Sequence, residues 1–232
     1  TDRPITAVSA LTLSANGVTA ADTITYAGAI TPSATTDGTK LYLTGAAGRV
    51  GFITGGFTMT GDAADFQVTG GRWTIGAATS RVGDDATVTG AGTELTLPDG
   101  LLQVRDDLTV TANAVLNLNG TGVLSFQTAT LSSDASLRAQ TGGVINLGAA
   151  NAVVAADFDG LRIGVDGSGT GTLNTGTYAL AVTDLIVGNR NLDRTGVITG
   201  TGTIAVSNNI DLYDGDIAAG LVAAGAVTLD KY

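Results

Sequence analysis

The stretch from Trp73 to Thr89 recurs, residue against residue, from Leu95 to Thr111, at an offset of 22. Its shared core is Val82-x-Asp84-Asp85-x-Thr87-Val88-Thr89 laid over Val104-x-Asp106-Asp107-x-Thr109-Val110-Thr111. A unit this short cannot bury a core of its own, so each copy must stack on the next. What kind of unit stacks is legible in the alternation of its apolar residues. From Leu41 onward, strand-sized alternations recur every seven or eight residues: Leu41-x-Leu43, Phe57-x-Met59, Phe66-x-Val68 and Trp73-x-Ile75, then Leu95-x-Leu97, Leu102-x-Val104, Leu108-x-Val110, Leu116-x-Leu118 and Leu124-x-Phe126. Period two sets such side chains on one face of a strand. About three short strands fit each unit, the pattern of a triangular parallel β-solenoid.

The register can be followed along the chain. Leu102 and Val104 fall on Leu124 and Phe126 at 22, and those two on Ile145 and Leu147 at 21. Leu161-x-Ile163-Gly164 falls on Leu185-x-Val187-Gly188 at 24, and then on Ile210-x-Leu212 at 25. A one-residue slip within a strand would turn its apolar set outward, so length changes belong in turns. Turn-forming pairs sit there: Asn119-Gly120, Gly142-Gly143, Asp159-Gly160, Asp166-Gly167, Asn208-Asn209 and Asp214-Gly215. The expectation is an all-β chain whose residues 41–232 form one β-solenoid of about 22–25 residues per coil. Residues 1–40 are less regular, with Leu11-Thr-Leu13 and Ile24-Thr-Tyr26 as short strand signals. They read as an N-terminal cap over the open end of the stack, or as an assembly arm that pairs with a neighbouring subunit.

Composition agrees with strands. Hydrophobic residues are 44% of the chain but aromatics only 5%, so the core is built from Val, Ile, Leu and Ala. Glu94 is the single glutamate and Lys40 and Lys231 the two lysines, which leaves few of the long side chains that favour helices. A net charge of −10 argues against a nucleic-acid partner, which needs a basic footprint. No apolar run reaches the length of a membrane span. Without cysteine there is no disulfide framework, and a first residue Thr1 in place of Met suggests a processed, exported chain.

The segment Leu161-Arg-Ile-Gly-Val-Asp-Gly-Ser-Gly-Thr-Gly-Thr-Leu173, followed by Asn-Thr-Gly-Thr-Tyr178 and Leu185-Ile-Val-Gly-Asn189, alternates "L-x-V-G" with "G-x-G-T-L". In this it resembles the autotransporter-type and surface-protein β-strand repeats of bacteria, well over residues 161–206 and loosely over 95–212. The resemblance implies a right-handed parallel β-helix displayed outside a bacterial cell. The sequence ends at Asp230-Lys-Tyr232 without the outer-membrane barrel or sorting tail of that class. The expectation is that those parts are removed or that the chain is a small secreted relative that works by assembling.

Stacking at 22 superposes Asp62, Asp84 and Asp106, with Asp85 and Asp107 as a second pair. Two carboxylates about 5 Å apart repel by roughly 3 kcal/mol at an effective dielectric of 20. Water, Arg81 and Arg105, or a bound Ca²⁺ would relieve that cost. Two readings stand side by side: solvated turn aspartates with no cofactor, and a Ca²⁺ ladder on Asp62, Asp84, Asp85, Asp106 and Asp107. Asp157-Phe-Asp159-Gly160 and Asp211-Leu-Tyr-Asp214-Gly215-Asp216 lack the EF-hand spacing, and Gly167-Ser-Gly169-Thr-Gly171 lacks the lysine of a phosphate loop. With no histidine or cysteine and one glutamate, the chain carries no recognisable catalytic set and is expected not to be an enzyme. Thr-x-Thr ranks share a register only at Thr87/Thr89 and Thr109/Thr111, too few for an ice-binding face.

The expected role is structural: an extracellular or cell-surface subunit that assembles with itself into a filament, sheath or surface layer. Open solenoid ends are β-edges, and Thr6, Val8, Leu11 and Leu13 at one terminus and Val227 and Leu229 at the other carry strand-like sequence for end-to-end contact. The alternative is a monomeric adhesin or passenger-type β-helix whose partner is a glycan or a host surface, such as a cell-surface polysaccharide.

Overall fold

A computed structural model of the chain describes residues 3–7, 10–16, 23–32, 39–59, 61, 63–76, 78–119, 123–126, 136–139, 144–148, 153–155, 160–165, 170–189, 195–224 and 228–231. Every element among them is a strand. One coil shows the plan. Ala86–Thr89 lies in an eleven-stranded sheet, Glu94–Leu97 in a nine-stranded sheet and Leu101–Val104 in a four-stranded sheet. Leu108–Thr111 then returns to the first sheet, parallel to Ala86–Thr89 and in register with it. Repetition of this circuit gives a three-sided parallel β-solenoid, and the nine-stranded sheet counts nine levels of it among the described residues.

The offset of 22 found in the sequence is the observed one at its centre: Ala86 pairs with Leu108, Leu101 with Val123 and Arg72 with Glu94. Leu161 pairs with Leu185, and Leu185 with Ile210, as expected from the glycine-marked repeats. Gly164 and Gly188, which end those repeats, both turn the corner with positive φ, 70° and 74°, a conformation glycine reaches without strain. Coil length varies more widely than 22–25. Leu13 pairs with Leu43, 30 residues on; Phe66 pairs with Ala86, 20 on; Ile210 pairs with Leu229, 19 on.

One expected register is corrected. Leu124 pairs with Val153 and Leu116 with Ile145, both at 29, so Leu124 and Phe126 do not lie on Ile145 and Leu147. The coil is long because 127–135 separate Val123–Phe126 from Ser136–Ala139, where only Arg105–Asp107 separate the equivalent strands one coil earlier. The mismatch arose because strands of different faces carry the same alternation.

Four strands described between Ile5 and Pro32 begin the stack. Ala10–Ser14 pairs with Lys40–Thr44, Thr23–Tyr26 with Val50–Ile53, and Ile5–Ala7 with Ile30–Pro32. Near the other end, Ala179–Val187 and Thr203–Leu212 run through a corner as continuous strands, so Asn208-Asn209, expected as a turn, lies inside a strand. Their register shifts between Val182, opposite Val206, and Asp184, opposite Asn209, so Ser207 and Asn208 face a single Thr183: a β-bulge.

Inward positions form continuous columns. Leu41, Phe66, Ala86, Leu108, Leu137, Leu161 and Leu185 follow one another down the eleven-stranded sheet, all buried. Each large aliphatic side chain so removed from water contributes about 1.5–3 kcal/mol. The bulkiest member of the core is Trp73, which requires a gap above it. Its column neighbour is Gly51, where an added Cβ would come within 2.5 Å of the indole ring. Across that gap Tyr26 stacks on Trp73 with ring centroids 6.2 Å apart, and the indole N–H donates to the Gly70 carbonyl at 3.1 Å.

In an unobstructed strand Gly→Ala stabilises by about 0.5–1 kcal/mol. Gly51→Ala is expected to do the reverse and lower the unfolding free energy in urea by about 1–3 kcal/mol, the cost of overpacking. Combining it with Trp73→Leu should recover most of that loss; additive losses would contradict the assignment.

Candidate functional site

In four successive strands of the eleven-stranded sheet, the slot just before the inward residue carries a charge. Leu41, Phe66, Ala86 and Leu108 are in register, so the residues before them, Lys40, Asp65, Asp85 and Asp107, form a column at the entering corner. Backbone hydrogen bonds fix that column. The N–H of Leu41 donates to the Asp65 carbonyl (3.0 Å), that of Phe66 to Asp85 (2.9 Å) and that of Ala86 to Asp107 (2.8 Å). Parallel strands lie about 4.8 Å apart, so the side chains have no choice but to stack.

Cations close the column at both ends. Lys40 Nζ lies 2.6 Å from Asp65 Oδ2, and Arg138 Nη2 lies 2.5 Å from Asp107 Oδ2. Within it, the Asp107 N–H donates to Asp85 Oδ1 at 3.1 Å. Arg81, expected to neutralise these aspartates, instead donates through Nε to Gln103 at 3.1 Å on another face. Arg105 reaches back to the Gly83 carbonyl at 3.5 Å.

Beside the column, Asp84, Asp85 and Asp106 bring carboxylate oxygens within 4.8 Å of one another. Three of the expected metal ligands are therefore brought together, while Asp107 is engaged by Arg138 and Asp62 lies outside the described residues. Three carboxylates supply part of the six to eight oxygens that Ca²⁺ takes. Asp65, which the 22-residue offset passes over, is the column member that sequence reasoning missed; its sign is its place before Phe66, matching Asp85 before Ala86.

Of the expected assembly residues, Thr6 is exposed and pairs with Thr31, Leu11 is half-buried, and Leu13 is buried in the core. Leu229 pairs with Ile210 in the last strand of the stack. Val8 and Val227 lie outside the described residues.

The Asp85 carboxyl is held above the ordinary aspartate value of 3.8, first by partial loss of solvent and then by the Asp107 and Asp65 carboxylates. The Asp107 N–H and the Arg138 guanidinium pull the other way. A raised value means that the folded chain holds this proton more tightly than the unfolded chain. The contribution of Asp85 is then most favourable below 3.8 and is lost as pH rises through the raised value. Asp85→Asn should flatten that decline in a melting-temperature profile taken upward from about pH 4; an unchanged slope would sink the assignment. A second measurement addresses the carboxylate trio. With side-chain and backbone donors already on the column, a calcium chelator at pH 7 should leave the melting temperature where it was, and a drop would assign Ca²⁺ to Asp84, Asp85 and Asp106.

No helix among the described residues is long and apolar enough to cross a membrane. No family model, no curated protein and no solved structure matches the chain.

Proposed function

We propose that the protein is an extracellular structural subunit that self-associates end to end, at the surface of a bacterial cell, as its likeness to autotransporter-type repeats implies. The observation that carries this reading is where the core is left incomplete. Among the described residues the exposed large apolar side chains are Leu221 (36%) and Val222 (49%), both on the strand Gly220–Ala223; Leu221 follows the buried Ile204 in its column, whereas Val222 follows Ala205 on the outer face. Among the described residues that strand is bonded on one side only and is one of the last in its sheet. Leu212 and Ile217, half-buried, line a depression of about 210 Å³ at the neighbouring corner. At the opposite end Ile5, Leu11 and Tyr26 are likewise only partly covered.

The two ends complement each other in direction. All sheets are parallel, so a copy translated along the stack meets the last level with its first level and continues each ladder without reversal. Leu11 would then follow Leu229, and Ile24 would follow Ile217. Such a contact is heterologous and extends into a fibre when it does not close. Backbone pairing of this kind is β-augmentation, with the apolar columns supplying the pocket contacts.

Electron microscopy and sedimentation of the untagged chain over a range of concentrations test the reading. Open-ended, concentration-dependent particles are expected. Leu221→Lys with Val222→Lys, on an exposed strand, should leave the circular dichroism unchanged and the chain monomeric. A single small species for the parent chain, or fibres undiminished in the double variant, would overturn it.

A further inference from the structure

A lateral face of the eleven-stranded sheet is interrupted where the β-bulge falls. Strand positions that point away from the core should form two parallel columns there. Arg162, Ile186 and Asp211 are in register in one, and Asp184, Asn209 and Thr228 in the other. On a regular solenoid such columns make a flat surface. Here they line a concavity of about 430 Å³ that also includes Asn208, one of the two bulge residues. Its size falls in the range of small-molecule sites, about 300–1,000 Å³. A bulge characteristically re-aims a side chain, and Asn208 is exposed with its Nδ2 donating to Asp184 Oδ1 at 2.8 Å.

The lining decides what fits. Two carboxylates disfavour phosphate or other anions, while Arg162 disfavours a bare cation at the same place. Arg162 Nε is buried without a hydrogen-bond partner, so its guanidinium is not wholly satisfied within the chain. An apolar ligand would strand these polar groups. Carboxylates that accept, amides that do both and a guanidinium that donates match hydroxyl groups, each of which donates and accepts. Ile186 offers the one aliphatic surface among them.

We propose that this concavity is a binding site for an uncharged, hydroxyl-rich ligand, a saccharide of one or two rings, held between Asp184, Asp211 and Arg162 with a ring face against Ile186. The site belongs to a single chain and needs no neighbour, so it stands or falls separately from end-to-end assembly. In a fibre it would recur once per subunit along the side.

The test uses the full chain on a printed array of uncharged and acidic glycans, followed by titration calorimetry with the best uncharged saccharide and, separately, with calcium chloride. Binding of uncharged glycans is expected, weakened about tenfold or more by Asp211→Asn and by Asn208→Ala. Both positions lie on the surface, and circular dichroism checks that both variants fold. Arg81→Ala, on a different face, should bind as the parent does. Silence across the uncharged glycans, binding only of acidic glycans or of calcium, or affinity indifferent to both variants would overturn the proposal.

Discussion

Parallel, in-register stacking is the constraint from which the rest of this molecule follows. Each strand bonds to its equivalent one coil away, so a residue's neighbours above and below are decided by the ladder and not by its own chemistry. Inward columns must then be apolar at every level, because a slip of one residue would exchange the two faces of a strand. Turns carry no such demand. That is why a coil can lengthen from Phe66–Ala86, 20 residues, to Leu13–Leu43, 30 residues, while both ends stay buried in line.

Outward columns show what stacking like on like costs, and two different remedies. Amides carry donors and acceptors together, so they stack unaided: Asn146 Nδ2 donates to Asn117 Oδ1 at 2.8 Å, and Asn117 Nδ2 donates to Glu94 Oε1 at 2.8 Å. Glu94 stands in the neighbouring outward column, where Arg72 reaches its Oε2 at 2.7 Å. Ionised carboxylates only accept. The row Asp65, Asp85, Asp107 therefore depends on Lys40 and Arg138 at its ends and on backbone N–H groups within it. Its charge is a structural problem solved locally, before any ligand is invoked.

Two departures from regularity each bear on a proposal. Among the described residues the apolar columns end on Leu221 and Ile217, which are only partly covered, and this is the basis for reading the ends as adhesive. At the bulge opposite Thr183 the sheet's outer surface becomes concave and polar, which is the basis for the saccharide site. A solenoid has little else with which to recognise anything, since its regular faces repeat one residue pattern.

The sequence by itself determined the strands, their inward residues and the spacing near Trp73–Thr111. Alternation at period two and an unbroken 22-residue match leave one register there, and Asp84 over Asp106 follows from it. The tertiary structure alone decided which strand belongs to which face wherever coil length changes. Leu116-x-Leu118, Leu124-x-Phe126 and Ile145-x-Leu147 are interchangeable as patterns, because all three faces ask for the same alternation. Only the closed circuit, with 127–135 inserted, places Ile145 beside Leu116 and brings Arg138 to Asp107. The same holds for Asp65, which reaches Asp85 through a coil of 20 residues and not 22. Local chemistry writes each strand, but the path length around the solenoid sets which side chains meet.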